Sequence, residues 1–143
     1  MGKSGLLLHV CCAPCAAGCV ERLIAEDREV TLYFSNSNIA TEEEFARRLV
    51  SVEALARIFR LPLEVDPYDH AAWLERVAGL EAEPEKGARC PVCFGFSLER
   101  AARRAAELGV GFATTLTVSP HKSSRVIFEA GARWEHFEPY DFK

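Results

Sequence analysis

The chain has 143 residues, of which 49% are hydrophobic and 27% charged, and its formal net charge is −4. This composition is typical of one soluble globular domain with a real core. The acidic balance excludes a global basic field, so a nucleic-acid partner would need a local basic patch. We read no secretory leader, myristoylation motif or membrane span, and expect a cytoplasmic protein. Six cysteines in such a chain are more typical of metal binding or catalysis than of disulfides.

The first predicted strand ends at a cysteine-rich turn. Residues 5–10 (GLLLHV) form the short, nearly continuous apolar run of a buried strand. Cys11 and Cys12 follow it directly, and Pro14 suits the first turn of a helix that continues to Leu23. The sequence therefore places strand, sharp turn and helix start within a few residues, with thiols at the junction.

Three cysteines of this segment share a helical spacing. Cys12, Cys15 and Cys19 stand at i, i+3 and i+7, which places them on one helical face if the helix starts that early. Free cysteine is often buried, so Cys15 and Cys19 are also explained as small core residues. For Cys19 we favour the core interpretation.

Further strands alternate with helices along the rest of the chain. The predicted strands are residues 29–35, 62–66 and 111–118, and the predicted helices begin at Thr41, His70, Arg89 and just after residue 123. This alternation predicts an α/β fold in which a single three-layer domain over residues 1–143 contains a parallel sheet of four to five strands. The aromatic-rich residues 131–143 are a candidate edge strand.

In a parallel sheet the segments after the strands emerge at one edge, where ligands bind. These segments are residues 11–15, 36–38, 66–69 and 119–122. Asp69 is a candidate helix cap as well as a candidate for metal binding or acid–base chemistry. His121 and Lys122, beside a helix start, are placed to meet an anion. Asparagines such as those of residues 36–38 commonly form turns.

A second cysteine pair opens a later helix. Cys90 and Cys93 form a C-x-x-C motif, and the loop of residues 81–88 is long enough to bring them to the same edge. Together with the first cysteines they can make a four-thiolate site for zinc or an iron–sulfur cluster. Adjacent side chains in extended backbone point apart, so we expect that Cys11 and Cys12 cannot easily bind one ion. This favours a redox-active centre over a structural zinc site.

The sequence resembles the QueH-type epoxyqueuosine reductases. The resemblance is carried, in family order, by LLLHVCCAPC, YFSNSNI with EEEFARRL, YDHAAW, ARCPVCFGFSLERAA and FATTLTVSPHK. It implies a nucleotide-hydrolase-like (HUP, PP-loop-like) fold and reduction of epoxyqueuosine in tRNA to queuosine, with electrons from an unidentified donor. It also implies a [4Fe-4S] cluster and a second mononuclear metal, iron or zinc.

The resemblance implies roles for particular residues. Cluster ligands by this resemblance are Cys11, Cys12, Cys90 and Cys93. Further metal ligands are Cys15 and Asp69, and residues implied in catalysis are Asp69, Cys12, His121 and Lys122. The expected phosphate contacts are Arg89, Arg100, Arg103, Arg104 and Lys122.

The sequence differs from the family pattern at its carboxyl end. Family members usually continue into a tail with another cysteine pair, whereas this sequence ends at Lys143. If those tail cysteines are ligands, either the ligand set here is incomplete, or Cys15 and Cys19 substitute for that pair. Two alternative functions stay open. One is a non-catalytic zinc-binding module. The other is a PP-loop-like, ATP-dependent tRNA-modifying enzyme, disfavoured because Cys-Cys-Ala-Pro-Cys stands where a glycine-rich phosphate loop is expected. A thiol–disulfide oxidoreductase is a weaker third option.

Overall fold

The structure is a computed structural model that describes residues 4–79, 89–119 and 124–142, except for the side chains of residues 4 and 89–93. Its elements are β1 (Ser4–His9), α1 (Ala13–Ala25), β2 (Arg28–Phe34), α2 (Glu42–Phe59), β3 (Leu63–Val65), α3 (His70–Arg76), α4 (Arg89–Leu108), β4 (Gly111–Thr114) and α5 (Ser124–Gly131). A 3₁₀ turn, Thr115–Val118, follows β4 directly.

Four strands form one sheet in the order β3-β2-β1-β4, and every pairing is parallel. Strand β1 lies inside the sheet, where Leu8 pairs with Leu32 on one side and Ala113 on the other. The predicted α/β class and parallel sheet are therefore confirmed. Because all four strands run the same way, the segments that follow them emerge at one edge, and that edge carries the cysteines.

Helices cover both faces of the sheet, which makes three layers. On β1, Leu6 and Leu8 pack with α1 and α2, whereas Leu7 faces the opposite way and packs with α4 and α5. All three leucines are at most 1% exposed. A strand buried on both faces has a continuous apolar sequence rather than an alternating one, which explains the nearly unbroken apolar run of residues 5–10.

The last predicted strand is shorter than expected. β4 ends at Thr114, and the following four residues wind into the 3₁₀ turn. The Thr114 hydroxyl accepts a hydrogen bond from the Leu116 N–H at 3.1 Å, and such local bonds offer the backbone an alternative to strand pairing. Residues 131–142 do not form a fifth strand: the β pairing described there is one bridge, Phe112 to Phe137.

The helix ends follow local signals in the sequence. Thr41 caps α2 by accepting a hydrogen bond from the Glu44 N–H at 3.2 Å, as a threonine at this position of a helix start does. Gly109 ends α4 with a φ of +70°, a conformation that glycine adopts readily. α3 begins at His70, as predicted, and ends at Arg76. No helix in the described part of the chain is long and apolar enough to cross a membrane.

Candidate metal centre

The first cysteine is tied to the neighbouring strand's exit. The Cys11 N–H donates to Thr115 Oγ1 at 3.3 Å, and its Sγ lies 3.5 Å from the same hydroxyl oxygen. β1 and β4 are paired in the sheet, so the segments that follow them start side by side. The Cys11 thiol is therefore held at the junction of two strand ends.

Cys12 is the residue from which α1 starts. Its backbone is extended (φ −164°, ψ 159°), and its carbonyl accepts the first helical hydrogen bond, from the Ala16 N–H at 3.3 Å. Pro14 occupies the first turn, where a missing N–H leaves no helical bond unmade. This start places Cys15 one turn along the helix from Cys12, so both side chains reach the same side of α1.

The thiols of Cys11, Cys12 and Cys15 form a cluster. The Cys11 and Cys12 sulfurs are 3.9 Å apart, those of Cys12 and Cys15 are 3.1 Å apart, and all three lie within 4.8 Å of one another. Each side chain is half-buried. The expectation that the side chains of Cys11 and Cys12 point apart is wrong, because the chain bends at Cys11 and no longer keeps regular extended geometry.

The three thiols fit a thiophilic metal. Zinc binds cysteine sulfur at about 2.3 Å in a tetrahedron, so two sulfurs on one ion lie about 3.8 Å apart. The Cys11–Cys12 separation of 3.9 Å matches that value, whereas the Cys12–Cys15 separation of 3.1 Å is about 0.7 Å shorter, so these two sulfurs would move apart around an ion. Thiolates are ligands for zinc and for iron–sulfur clusters. Among the described residues, this is the one group of three or more histidine, cysteine or acidic side chains with that proximity.

Crowding raises the pKa of two of the clustered thiols. The Cys11 thiol and burial raise the pKa of Cys12 far above its usual range. The hydrogen bond with Cys12 lowers the pKa of Cys11, but the Cys15 thiol and burial raise it by more, so the pKa of Cys11 is raised overall. Crowded thiols resist ionising together because their negative charges repel. A bound cation would lower the pKa of each thiol that it contacts, because it stabilises the thiolate form.

Cys19 stands apart from the cluster. It is 2% exposed, packs in the core beneath α1, and its thiol donates to the Cys15 carbonyl at 3.2 Å. Burial raises the pKa of Cys19 to about 12. The core interpretation of Cys19 is confirmed, and of the two cysteines proposed as substitute ligands only Cys15 is among the clustered thiols.

Asp69 serves as a helix cap. Its Oδ1 accepts from the Ala72 N–H at 3.1 Å at the start of α3, and its own N–H donates to the Ser37 hydroxyl at 2.9 Å. The capping alternative is therefore confirmed. The carboxylate is not among the clustered ligand atoms, so its role toward a metal or proton stays a prediction.

Four predicted site residues fall outside what the structure describes. His121 and Lys122 lie outside the described residues altogether. The backbone of Cys90 and Cys93 belongs to the first turns of α4, but their side chains are outside the described set. Their predicted roles stay predictions.

Sequence reasoning missed His9, a fully buried polar residue within the apolar run of β1. Its Nε2 lies 2.9 Å from the Ser35 carbonyl oxygen, which can only accept, and its Nδ1 lies 2.9 Å from Thr114 Oγ1. Nε2 therefore carries the proton, and Nδ1 accepts from the Thr114 hydroxyl. Burial lowers the pKa of His9, which keeps the ring neutral. A lone polar residue in a buried strand was the available signal, since such groups need partners.

Three of the four arginines expected to bind phosphate are paired with carboxylates, and the side chain of the fourth, Arg89, is outside the described set. Arg100 Nη1 donates to Asp66 Oδ2 at 3.1 Å, and Asp66 also accepts from the Ser35 hydroxyl at 2.9 Å. The other pairs are Arg103 with Glu99 and Arg104 with Glu64. The positive charge of this face of α4 is thus largely balanced within the protein, which the sequence alone did not indicate.

Comparison with known proteins gives one consistent answer. The family model described as epoxyqueuosine reductase QueH matches residues 6–143. A protein of that name from Streptococcus pyogenes is 38% identical over 99% of this chain and 60% of its own length. The protein of that name from Haemophilus influenzae is 38% identical over 92% of this chain and 54% of its own length. The one from Thermotoga maritima is 32% identical over 96% of this chain and 71% of its own length. The chain thus spans roughly three fifths of the curated relatives it matches.

Proposed function

Since the chain belongs to the epoxyqueuosine reductase QueH family, we propose that it removes the epoxide oxygen of epoxyqueuosine in tRNA to give queuosine. The reaction consumes two electrons and two protons, and the oxygen leaves as water. The observation that supports this proposal is the three-thiol cluster at the carboxyl edge of the sheet, inside the matched residues. A reductive reaction needs a redox-capable group, and this is where the chain can hold one.

The proposal assigns the cofactor to the cysteines. Cys11, Cys12 and Cys15, joined by Cys90 and Cys93, would hold a [4Fe-4S] cluster and a second mononuclear metal, iron or zinc. When bound, such groups supply single electrons and Lewis acidity toward an oxygen. A [4Fe-4S] cluster is usually held by four cysteines, so Cys90 and Cys93 would need Cys11 and Cys12 beside them, which leaves Cys15 and Asp69 for the second metal.

The remaining proposed roles fall on the substrate side. Asp69, at the same sheet edge, is proposed to deliver a proton as the oxygen leaves, and His121 and Lys122 to contact substrate. The tRNA would present an unpaired anticodon base, because proteins read RNA sequence mainly in unpaired loops. With three arginines of α4 already paired, Arg89 and Lys122 become the principal candidates for phosphate contact. The electron donor is a separate reductant, and the reaction belongs in the cytoplasm, where tRNA is modified.

The test starts with the cofactor and ends with the nucleoside. The chain is reconstituted with iron and sulfide without oxygen, assayed for both elements, and incubated with epoxyqueuosine tRNA and a chemical reductant. We expect iron, acid-labile sulfide, and queuosine in the digested tRNA by mass spectrometry. Cys12→Ser should lose product, whereas Cys19→Ser should keep it because a serine hydroxyl can also donate to the Cys15 carbonyl. Colourless protein holding zinc alone, with no queuosine formed, would favour the structural zinc module.

Asp69→Asn separates capping from chemistry. Asparagine caps helices as well as aspartate, so the free energy of unfolding should change by less than about 0.5 kcal/mol. If the carboxylate delivers a proton, turnover should fall about 100-fold or more, within the usual contribution of general acid catalysis. Urea unfolding and single-turnover queuosine formation measure the two effects. Unchanged turnover in Asp69→Asn would leave Asp69 with its capping role alone.

A further inference from the structure

Cys12 and Cys15 are a C-x-x-C pair at the start of α1, and their sulfurs lie 3.1 Å apart. We propose that these two thiols form a reversible disulfide when the cluster holds no metal, and that this disulfide blocks metal loading until it is reduced. The disulfide itself follows from the thiols alone. Its consequence for metal rests on the metal site of the proposed function.

The geometry needs little change to close the bond. A disulfide has its sulfurs about 2.05 Å apart, so those of Cys12 and Cys15 must approach by about 1 Å. Both side chains are half-buried rather than sealed in the core, so a small oxidant can reach them.

The other thiols nearby are poorer partners. Cys11 is 3.9 Å from Cys12, and a disulfide between adjacent residues would force the intervening peptide away from its planar trans form. Cys19 is buried, and its thiol is engaged with the Cys15 carbonyl rather than with a sulfur. Among the thiols that the structure describes, Cys12 and Cys15 are in contact at 3.1 Å and are not adjacent in the sequence, so theirs is the disulfide that we expect.

The oxidant is a small-molecule disulfide of the glutathione type. One cysteine sulfur attacks the oxidant, forming a mixed disulfide and releasing one small thiol; the other cysteine then attacks, closing the Cys12–Cys15 bond and releasing the second thiol. Two protein thiols become one disulfide, and one disulfide molecule becomes two thiols. Atoms and electrons balance without further reactants, and excess small thiol reverses the reaction.

Oxidation removes two of the three clustered ligands. A disulfide sulfur carries no negative charge and is a poor metal ligand, so Cys11 alone cannot retain the ion that three thiolates would hold. Conversely, a bound ion should protect Cys12 and Cys15 from oxidation. Metal occupancy and disulfide formation therefore exclude each other at this site.

The test titrates the whole chain, stripped of metal, with oxidised and reduced glutathione in the absence of oxygen. In a chain that also carries Cys90→Ser and Cys93→Ser, which removes the second C-x-x-C pair, intact mass should fall by about 2 Da and titratable thiols should drop from four to two. Cys11→Ser and Cys19→Ser should still lose about 2 Da, whereas Cys12→Ser and Cys15→Ser should instead gain about 305 Da as mixed disulfides with glutathione. Circular dichroism of each variant checks that it is folded.

Two results would overturn the inference: no 2 Da loss at any glutathione ratio, or an equal loss in Cys15→Ser, which would reveal a different pairing. Zinc added before oxidation distinguishes the two proposals. If the disulfide forms equally with and without zinc, the dithiol exists but the protective metal site does not. If zinc binds and the metal-free chain never forms the disulfide, the metal site stands and the dithiol switch fails.

Discussion

Replacing Cys12 with serine should weaken zinc binding by at least about 100-fold. Cys12 contacts both neighbouring sulfurs of the cluster, so its loss removes the central ligand and leaves two of the three thiols. A serine hydroxyl stays protonated at neutral pH and is a hard, weak ligand for a thiophilic ion. Losing even an outer partner of a metal ligand costs about 10- to 100-fold in affinity, and losing a ligand itself costs more. Competition with a chromophoric chelator under reducing conditions measures the dissociation constant.

The matched control is Cys19→Ser. Cys19 lies on the same helix but outside the cluster, and serine can keep its hydrogen bond to the Cys15 carbonyl. Its zinc affinity should stay within about threefold of the unmodified chain. Equal zinc affinity in Cys12→Ser and the unmodified chain would show that the ion binds elsewhere, and the cluster would lose its assignment.

The layout of the fold was predictable because its signals are local and repeated. Apolar runs such as residues 5–10 mark strands buried on both faces, and the Thr41 cap and Gly109 mark helix ends without reference to distant residues. The residue at which β4 ends was not predictable from such local signals. Threonine is a common strand residue, so the sequence around Thr114 favours a longer strand. In the structure its hydroxyl accepts a hydrogen bond from the Leu116 N–H and donates one to His9, a residue more than a hundred positions away.

At the thiol cluster, too, local signals were predictable from the sequence and contacts between separate segments were not. The cysteines at the exit of β1 were found from the sequence because strand and helix signals converge on them. The contact between Cys11 and Cys12 was not, since a period-two rule for strands fails at a bend. The pairing of Arg100 with Asp66 was also missed, because a helix face read alone shows only its own charge. Contacts between distant segments decide both cases.

His9→Leu should lower the free energy of unfolding by about 2–5 kcal/mol. The ring bonds the Ser35 carbonyl and the Thr114 hydroxyl, and both partners are buried at 1% exposure. Leucine fills similar volume but leaves both groups without their imidazole partner, and each unsatisfied buried polar group costs about 1–3 kcal/mol. Urea unfolding of the metal-free chain measures the difference.

Two smaller replacements separate the two bonds of the ring. Asparagine places a polar atom near the position of Nδ1 and can keep the contact with Thr114, whereas glutamine places an amide near Nε2 and can keep the contact with the Ser35 carbonyl. Each should recover about half of the loss in His9→Leu. If His9→Leu were as stable as the unmodified chain, the buried bonds would add nothing over apolar packing.

The effect should extend from stability to the thiol cluster. His9 joins β1, β4 and the end of β2, and the residues just beyond those ends include Cys11, Thr115 and Asn36. Asn36 in turn donates to the Val10 carbonyl at 2.8 Å, so the exit of β1 is held from both neighbouring strands. Without His9, Cys11 keeps its sulfur but loses part of the support that fixes its position relative to Cys12. Zinc affinity of folded His9→Leu should therefore fall about 10- to 100-fold, as for other losses of outer support. A folded variant that kept full affinity would show that Thr115 and Asn36 alone position the thiols.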